Sequence, residues 1–319
     1  MITRRDWLRI SAGASAALSL HPRFLAALQA QPLITRPIPK SGEQLPVVGL
    51  GGANTFSESA GRDDFANIGT VLRALVDGGA KVFDTAAGYG ASEDVSGRVA
   101  QEMGIASRIF WATKMNVAGG RGGGGGRADP SAARAQVERS FQRLRISRID
   151  LMQVHNMGDP ATQLGIVREF KTAGRIRYIG ITTTSENQYA QLADVMRNED
   201  LDFIGIDYAV DNRVAEEVIF PLALERRIGV LVYLPFGRSR MWARIGDRPV
   251  PDWAAEFDAH TWAQLMLKFV IAHPAVTVAT PGTSDAEHML DNIAGGRGRL
   301  PTQDHLRRMI QLVESLPAA

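Results

Sequence analysis

The chain has 319 residues, a length that suits one large α/β domain as well as two small ones, and its 45% hydrophobic and 22% charged residues allow a sizeable core. It contains no cysteine, which excludes disulfides, thiolate metal sites and cysteine nucleophiles. The formal net charge is only +2, from 36 basic and 34 acidic residues, so no basic surface for nucleic acid is expected.

The first thirty residues have the pattern of an export signal. Arg4 and Arg5 precede a weakly hydrophobic run of Ala, Gly, Ser and Leu, and a second small-residue stretch ends near Ala30. This segment resembles a twin-arginine signal, and its apolar run is too short and interrupted for a membrane span. An ordinary amphipathic helix with a chance arginine pair is the alternative. We expect residues 1–30 to direct the folded protein through the twin-arginine translocase to the periplasm or cell envelope.

From residue 33 onward, short runs rich in Val and Ile alternate with longer amphipathic segments. The predicted strands are 47–50, 81–84, 109–113, 149–154, 178–181, 203–207, 230–233 and 276–279. The predicted helices are 65–77, 92–102, 130–145, 162–172, 186–197, 215–226, 262–272 and 302–315. Alternation of this kind indicates parallel βαβ units, and eight of them favour a (β/α)8 TIM barrel over an open sheet.

The remaining segments complete a single predicted domain, residues 31–319. Residues 33–48 resemble a β-hairpin that could plug the bottom of the barrel, and the segment 302–315 is an extra C-terminal helix. Residues 118–127 are almost pure glycine, which predicts a mobile loop. The alternative is a phosphate-binding loop, but such a loop needs spaced glycines, and this run has no such pattern. The insertion 237–260 follows the seventh strand. It either covers a substrate or cofactor or is a plain surface segment.

Polar residues end three successive predicted strands. Asp84, Lys114 and His155 occupy these ends, and Tyr89 follows Asp84 by five residues. The carboxyl ends of barrel strands converge on one face, where barrel enzymes carry out their chemistry. A lone histidine or lysine at a strand end is more often structural or solvated. The shared location of all four residues is what predicts a site.

Each of these four residue types has a plausible task in proton transfer. A lysine ammonium beside a tyrosine hydroxyl favours the phenolate, and a carboxylate holds the lysine in place. We therefore expect Tyr89 to act as general acid or base, with Lys114 and Asp84 tuning it. His155 is expected to orient a carbonyl oxygen or to support the proton transfer.

With these residues in place, the chain resembles the aldo-keto reductase family from Leu45 to Asn292. The segment "FDTAAGYGASE" matches the family's most specific motif, while "TK" and "DLMQVH" supply the lysine and histidine. Further similar segments are "LPVVGLGG", "GRIRYIGIT", "VYLPFG" and "PGTSDAEHMLDN". The Asp–Tyr–Lys–His set is complete.

The resemblance implies a nicotinamide cofactor, NADP(H) or NAD(H), and no metal. By resemblance, Tyr233 would stack on the nicotinamide, Thr182 and Thr183 would hydrogen-bond its carboxamide, and the segment with His288 and Asn292 would hold the adenosine end. The full set of cofactor residues implied in this way is Gly51, Gly52, Thr182, Thr183, Tyr233, Phe236, His288 and Asn292.

Several cofactor positions depart from the family pattern. Thr182-Thr183 replaces the common Ser-Asn, Gly205 replaces a glutamine, and Gly282 and His288 replace Lys and Arg at positions that hold a 2′-phosphate. The choice between NADP(H) and NAD(H) is therefore open.

The resemblance implies an oxidoreductase that interconverts a small aldehyde or ketone and an alcohol by hydride transfer. The alternative is an exported barrel that binds or regulates with weak or no redox turnover. The changed cofactor positions and the export signal favour this alternative, while the complete tetrad argues against it.

Overall fold

The computed structural model describes residues 31–119 and 126–318. The predicted signal peptide, residues 1–30, and most of the glycine-rich run, residues 120–125, lie outside the described residues. Within the two described ranges, none of the helices has the length and apolar character needed to cross a bilayer.

A ring of eight parallel strands forms the centre of the molecule, in the order of the chain. The described strands are β1 (Thr35–Pro37), β2 (Gln44–Pro46), β3 (Leu50–Gly51), β4 (Val82–Asp84), β5 (Phe110–Met115), β6 (Ile149–Val154), β7 (Ile176–Thr183), β8 (Phe203–Asp207), β9 (Gly229–Tyr233) and β10 (Val276–Ala279). Strands β3 to β10 make up the ring, whereas β1 and β2 pair antiparallel in a separate hairpin.

The ring closes where β3 meets β10. Val48 and Gly51 form parallel bridges to Ala279 and Gly282, and the amide of Gly49 donates to the carbonyl of Ala279 at 2.9 Å. This closure confirms the predicted (β/α)8 barrel. The first ring strand begins at Leu50, three residues later than predicted. Val48 and Gly49, which precede it, make much of its connection to β10.

Helices cover the outside of the ring and follow most of the predicted bounds. The described helices are α1 (Thr55–Gly61), α2 (Phe65–Asp77), α3 (Ser92–Glu102), α4 (Pro130–Leu144), α5 (Pro160–Thr172), α6 (Tyr189–Asn198), α7 (Ile219–Glu225), α8 (Arg240–Ile245), α9 (Trp262–Ala272), α10 (Ala286–Gly295) and α11 (Gln303–Ser315). Helix α11 is the predicted C-terminal helix, and α1, α8 and α10 were not predicted. Helix α4 begins where expected, with Pro130 in its first turn and the Asp129 carboxylate accepting from the Ala132 amide at 2.6 Å.

The hairpin plugs the N-terminal end of the barrel, as predicted. Ile38 and Leu45 are fully buried and belong to the apolar cluster that fills the barrel interior. The rings of Phe110 and Tyr178 stack there at 6.0 Å, and the Tyr178 hydroxyl donates to Glu43 of the hairpin at 2.8 Å. This end of the interior is a closed, packed core.

Inward positions change from apolar to polar along four strands of the ring. Because strand residues alternate in direction, positions two apart share a face. Apolar interior residues are therefore followed, two positions later, by polar ones that face the same way. These pairs are Val82 and Asp84 on β4, Ala112 and Lys114 on β5, Leu151 and Gln153 on β6, and Leu231 and Tyr233 on β9. The carboxyl ends of the strands thus share one polar cluster.

Candidate active site

Three of the four predicted catalytic residues lie at the polar end of the barrel around one buried ion pair. Lys114 and Asp84 are 1% and 3% exposed, and Lys114 Nζ lies 2.5 Å from Asp84 Oδ2. Lys114 Nζ also donates to the carbonyl of Thr85 at 2.9 Å and lies 4.9 Å from the centre of the Tyr89 ring. The expected contact of lysine with both aspartate and tyrosine is present.

His155 completes the group beside Tyr89. Their ring centres are 5.6 Å apart in an edge-on arrangement. The backbone turns sharply after β6, with Asn156 in a left-handed conformation at φ 55°, and the Asn116 amide donates to the His155 carbonyl at 3.1 Å. The loop after β4 and the turn after β6 thus bring the Tyr89 and His155 rings together.

The loop that carries Tyr89 is fixed by backbone bonds to β5. Two of its amides extend the sheet ladder, with Thr85 donating to Ala112 at 2.8 Å and Ala87 donating to Lys114 at 3.0 Å. The buried carboxylate of Glu93 accepts from the Thr113 hydroxyl at 2.7 Å and anchors the start of α3. Tyr89 therefore projects from a rigid turn.

Burial and charge together set the ionisation of the pair. Burial acts to lower the pKa of Lys114, but the charge of Asp84, and then the interaction with Tyr89, raise it above its ordinary value. Burial raises the pKa of Asp84, and the charge of Lys114 and the amide of Gln153 act against that shift. Lys114 is consequently held as an ammonium ion directly beneath Tyr89.

A cavity of about 680 Å³ opens above this cluster, within the usual size range of small-molecule sites. Its wall includes Asp84, Tyr89 and His155 from the predicted tetrad. Five of the predicted cofactor residues also line it, namely Gly51, Gly52, Thr182, Tyr233 and Phe236. The structure therefore brings most of the predicted site into one cavity.

Three predicted cofactor residues are not among the cavity-lining residues. Thr183 alternates with Thr182 along β7, and its hydroxyl donates to Gln188 at 2.5 Å instead. His288 and Asn292 lie on α10 and are not among the residues that line the cavity. The Asp285 carboxylate accepts from the His288 amide at 3.0 Å and caps that helix. A cofactor role for these three residues stays a prediction.

The insertion 237–260 contributes to the cavity at its near end only. Arg238 and Ser239 line the cavity and, like Leu234, have left-handed backbones, with φ of 54°, 66° and 54° respectively. Such conformations are costly outside glycine. The Arg238 side chain also forms an ion pair of 3.4 Å with Asp207. The first residues of the insertion thus form part of the cavity wall. That the insertion covers a substrate or cofactor stays a prediction.

Comparison with known proteins decides the family. The sequence model of the Aldo/keto reductase family matches residues 47–308, most of the chain. This chain belongs to the aldo/keto reductase family. The aldo-keto reductase YhdN of Bacillus subtilis (strain 168) is 31% identical over 179 residues, which span 54% of this chain and 53% of YhdN. This chain thus matches about half the length of YhdN.

A fungal relative and two solved structures extend the likeness over more of the chain. Aldo-keto reductase str7 of Strobilurus tenacellus is 23% identical over 275 residues, covering 76% of this chain and 80% of str7. An aldo-keto reductase of Klebsiella pneumoniae in complex with NADPH superimposes with a TM-score of 0.70 at 23% identity, covering 88% of this chain and 95% of that one. The holo form of AKR11C1 from Bacillus halodurans gives 0.69 at 23% identity, with coverages of 90% and 98%. These two structures share the fold.

This aldo/keto reductase contains two site features that the sequence did not reveal. Gln153 is fully buried on β6, and its Nε2 donates to Asp84 Oδ1 at 3.1 Å. Gly205, first interpreted as a lost cofactor contact, faces the Tyr233 ring: a β-carbon at position 205 would lie 2.6 Å from Tyr233 Cζ. The role of Gln153 could have been inferred from the sequence, because it lies two residues before His155 and alternation places it on the same face.

Proposed function

We propose that this protein is an NAD(P)(H)-dependent oxidoreductase that interconverts a small aldehyde or ketone and the corresponding alcohol. The observation that carries the proposal is the buried Lys114–Asp84 pair directly beneath Tyr89, with His155 beside that tyrosine at the cavity wall. Membership of the family and the NADPH complex of the Klebsiella pneumoniae protein support it.

Each residue has a role that its position supports. In the reducing direction, the Tyr89 hydroxyl donates its proton to the carbonyl oxygen of the substrate, and in the oxidising direction the phenolate takes that proton back. The Lys114 ammonium stabilises the phenolate that proton donation leaves behind, and Asp84 keeps the ammonium in place. His155, edge-on to Tyr89, orients the substrate oxygen.

The cavity residues suit a nicotinamide cofactor, which supplies or accepts the hydride when bound. Gly51 lines the wall and allows the chain at Thr280 to approach it closely, because a β-carbon at position 51 would lie 2.8 Å from the carbonyl oxygen of Thr280. Tyr233 offers an aromatic ring, and Thr182 lines the same wall, where its hydroxyl accepts from the Asn156 amide at 3.2 Å. With Gly52 and Phe236, these residues would hold the cofactor beside Tyr89.

The test is the substitution Tyr89→Phe, assayed with NADPH and NADH against a panel of small aldehydes and ketones. Removing the hydroxyl should lower turnover by about 10²–10⁴-fold while nucleotide affinity is retained. Near wild-type turnover, with chemistry rate-limiting, would contradict the role of Tyr89. A wild-type protein that binds nucleotide but turns over no carbonyl would support the binding-protein alternative.

We also propose that the protein acts in the periplasm or cell envelope, exported by the twin-arginine route. The support is the Arg4-Arg5 pair before a run of small residues. Replacing both arginines by lysine should retain the protein in the cytoplasm, as measured by fractionation. Replacing Arg23 by lysine, outside the pair, is the control and should leave export unchanged. Undiminished export of the double variant would refute the proposal.

A further inference from the structure

Tyr233 has its ring and its hydroxyl in different surroundings. The ring lines the cavity, while the hydroxyl reaches into the polar cluster beneath it. Tyr233 Oη lies 3.1 Å from Gln153 Oε1 and 3.4 Å from Asp84 Oδ1. Lys114 Nζ lies 4.9 Å from the centre of this ring, the same distance as from the Tyr89 ring. The ammonium therefore has a tyrosine on two sides.

The direction of these hydrogen bonds follows from the groups involved. A carboxylate can only accept, so Gln153 turns its amide nitrogen to Asp84, and its carbonyl oxygen faces Tyr233. The Tyr233 hydroxyl must then donate to that carbonyl oxygen. Burial, and then the charge of Asp84, raise the pKa of Tyr233 well above its ordinary value, so this hydroxyl keeps its proton. Tyr233 is thus a fixed donor.

Gly205 provides the space for this arrangement. The side chain of residue 205 would point at Tyr233, and a β-carbon would meet Cζ at 2.6 Å and lie closer still to Cε2 and Oη. Because Tyr233 is packed and hydrogen-bonded, it cannot yield without breaking its contact with Gln153. Tyr233 can therefore adopt this conformation only when residue 205 is a glycine.

We propose that Tyr233 is a positioning residue for proton transfer: its hydroxyl fixes the Gln153 amide, which holds the Asp84 carboxylate against Lys114, and Gly205 makes the room. This role is separate from the ring stacking implied by the family resemblance. Its kinetic consequence rests on the proposed function, whereas its geometric part does not.

Loss of the hydroxyl would loosen the ion pair that supports Tyr89. Without the Tyr233 hydroxyl, the Gln153 carbonyl oxygen loses its donor and Asp84 loses its 3.4 Å contact, so the Gln153 side chain is less firmly held against the carboxylate. The groups that face Asp84 are Lys114 from β5, Gln153 from β6, Tyr233 from β9 and, across Lys114, Tyr89. The bonds from Gln153 and Tyr233 both lower the pKa of Asp84 against the effect of burial, so their loss moves it upward.

The first experiment separates ring from hydroxyl in the full protein. Tyr233→Phe keeps the aromatic face, so the dissociation constants for NADPH and NADH should stay within about twofold. The turnover number should fall by roughly tenfold, and the low-pH limb of its pH profile should move to higher pH. Tyr233→Ala should weaken nucleotide binding as well. Tyr178→Phe, the same change at the other end of the barrel, is the control and should alter neither quantity.

The kinetic outcomes distinguish two failures. If Tyr89→Phe is inactive but Tyr233→Phe has wild-type turnover and pH profile, the positioning role is refuted while the proposed function stands. If Tyr89→Phe is fully active, the proposed function fails. The positioning role in proton transfer falls with it.

The second experiment needs neither nucleotide nor substrate. Gly205→Ala should lower the melting temperature by about 4 °C or more, because the new methyl group overlaps Tyr233. In a Tyr233→Ala background the same change should cost little, so the two effects should be strongly non-additive. Gly165→Ala on α5, where a β-carbon meets nothing within 4 Å, is the matched control. Additive effects of Gly205→Ala and Tyr233→Ala would overturn the proposed packing.

Discussion

Two tyrosines in the barrel interior illustrate the difference between its ends. Tyr178, at the N-terminal end, stacks on Phe110 and donates its hydroxyl to Glu43 of the hairpin. Tyr233, at the C-terminal end, stands over Lys114 and directs its hydroxyl into a buried polar cluster. The same residue type serves a sealed core at one end and a cavity floor at the other. The hairpin covers the N-terminal end, whereas the C-terminal end opens into the cavity.

The comparison implies that substitutions at the two ends should fail in different ways. Changes at the hairpin end should alter the free energy of unfolding and leave turnover intact. Changes at the cavity end should alter turnover first, except where they leave a buried charge without its partner. The following predictions test this division.

The largest effect is expected from Lys114→Met, which removes the partner of the buried Asp84 carboxylate. Turnover should be lost, and the free energy of unfolding near neutral pH should fall by about 3–5 kcal/mol. The pKa of Asp84, already raised by burial, should rise further. A raised carboxylate pKa costs no stability below the pKa of the unfolded chain, and the cost grows as the pH rises from that value to the raised one. The deficit measured by denaturant unfolding should therefore be smaller at about pH 5 than at about pH 8.

The control for this change is the double variant Asp84→Asn, Lys114→Met. It has no buried charge at these positions, so it should regain much of the lost stability while remaining inactive. If Lys114→Met alone unfolds at the same denaturant concentration as the wild type, the ion pair does not contribute to the free energy of unfolding. Substitutions at the cavity end would then affect turnover alone.

Leu45→Ala in the hairpin should produce an intermediate effect on stability alone. Leu45 is fully buried in the barrel interior, so the free energy of unfolding should fall by about 2–5 kcal/mol. The turnover number should remain within about twofold of wild type, because the cavity lies at the other end. Leu224→Ala, the same change at a residue 51% exposed, is the control for stability. A large loss of turnover in Leu45→Ala would show that the two ends are coupled.

The smallest effect is expected from Glu43→Gln beneath Tyr178. Burial works to raise the pKa of Glu43, but hydrogen bonds from Tyr178 and Arg177 lower it below its ordinary value. A lowered carboxylate pKa stabilises the fold above the ordinary pKa, and this contribution is lost as the pH falls through the lowered value. The variant should therefore lose about 1 kcal/mol near neutral pH and nothing in strong acid. An equal loss at both pH values would mean that packing, not charge, is responsible.

Much of the molecule could be predicted from the sequence because its signals are local. The alternation of Val-rich runs with amphipathic segments gave the barrel, and the polar ends of β4, β5 and β6 placed Asp84, Lys114 and His155 together. Helix α10 was missed although Asp285 and the apolar Met289, Leu290 and Ile293 provide a cap and a helical face. These signals predict a helix at 286–295 as well as a segment that holds the cofactor.

The cofactor side was harder because its contacts join distant parts of the chain. Gly205 and Tyr233 meet only because β8 and β9 pair in parallel with the register Gly205 to Leu231 and Asp207 to Tyr233. A single sequence does not contain that register. Thr182 and Thr183 are a different case, since alternation along a strand already implies that they point in opposite directions.

The closing line of the barrel has an evolutionary consequence. Gly49 and Gly51 face backbone atoms at short range: a β-carbon would lie 2.6 Å from the Val82 carbonyl at the first position and 2.8 Å from that of Thr280 at the second. Every amino acid other than glycine carries that β-carbon. A saturation library selected for folded protein should therefore show these two positions as intolerant of all nineteen replacements, while their side-chain-bearing neighbours accept at least conservative ones. The first strand of the ring and the residue before it are thus constrained by the backbones on both sides, at Val82 and at Thr280.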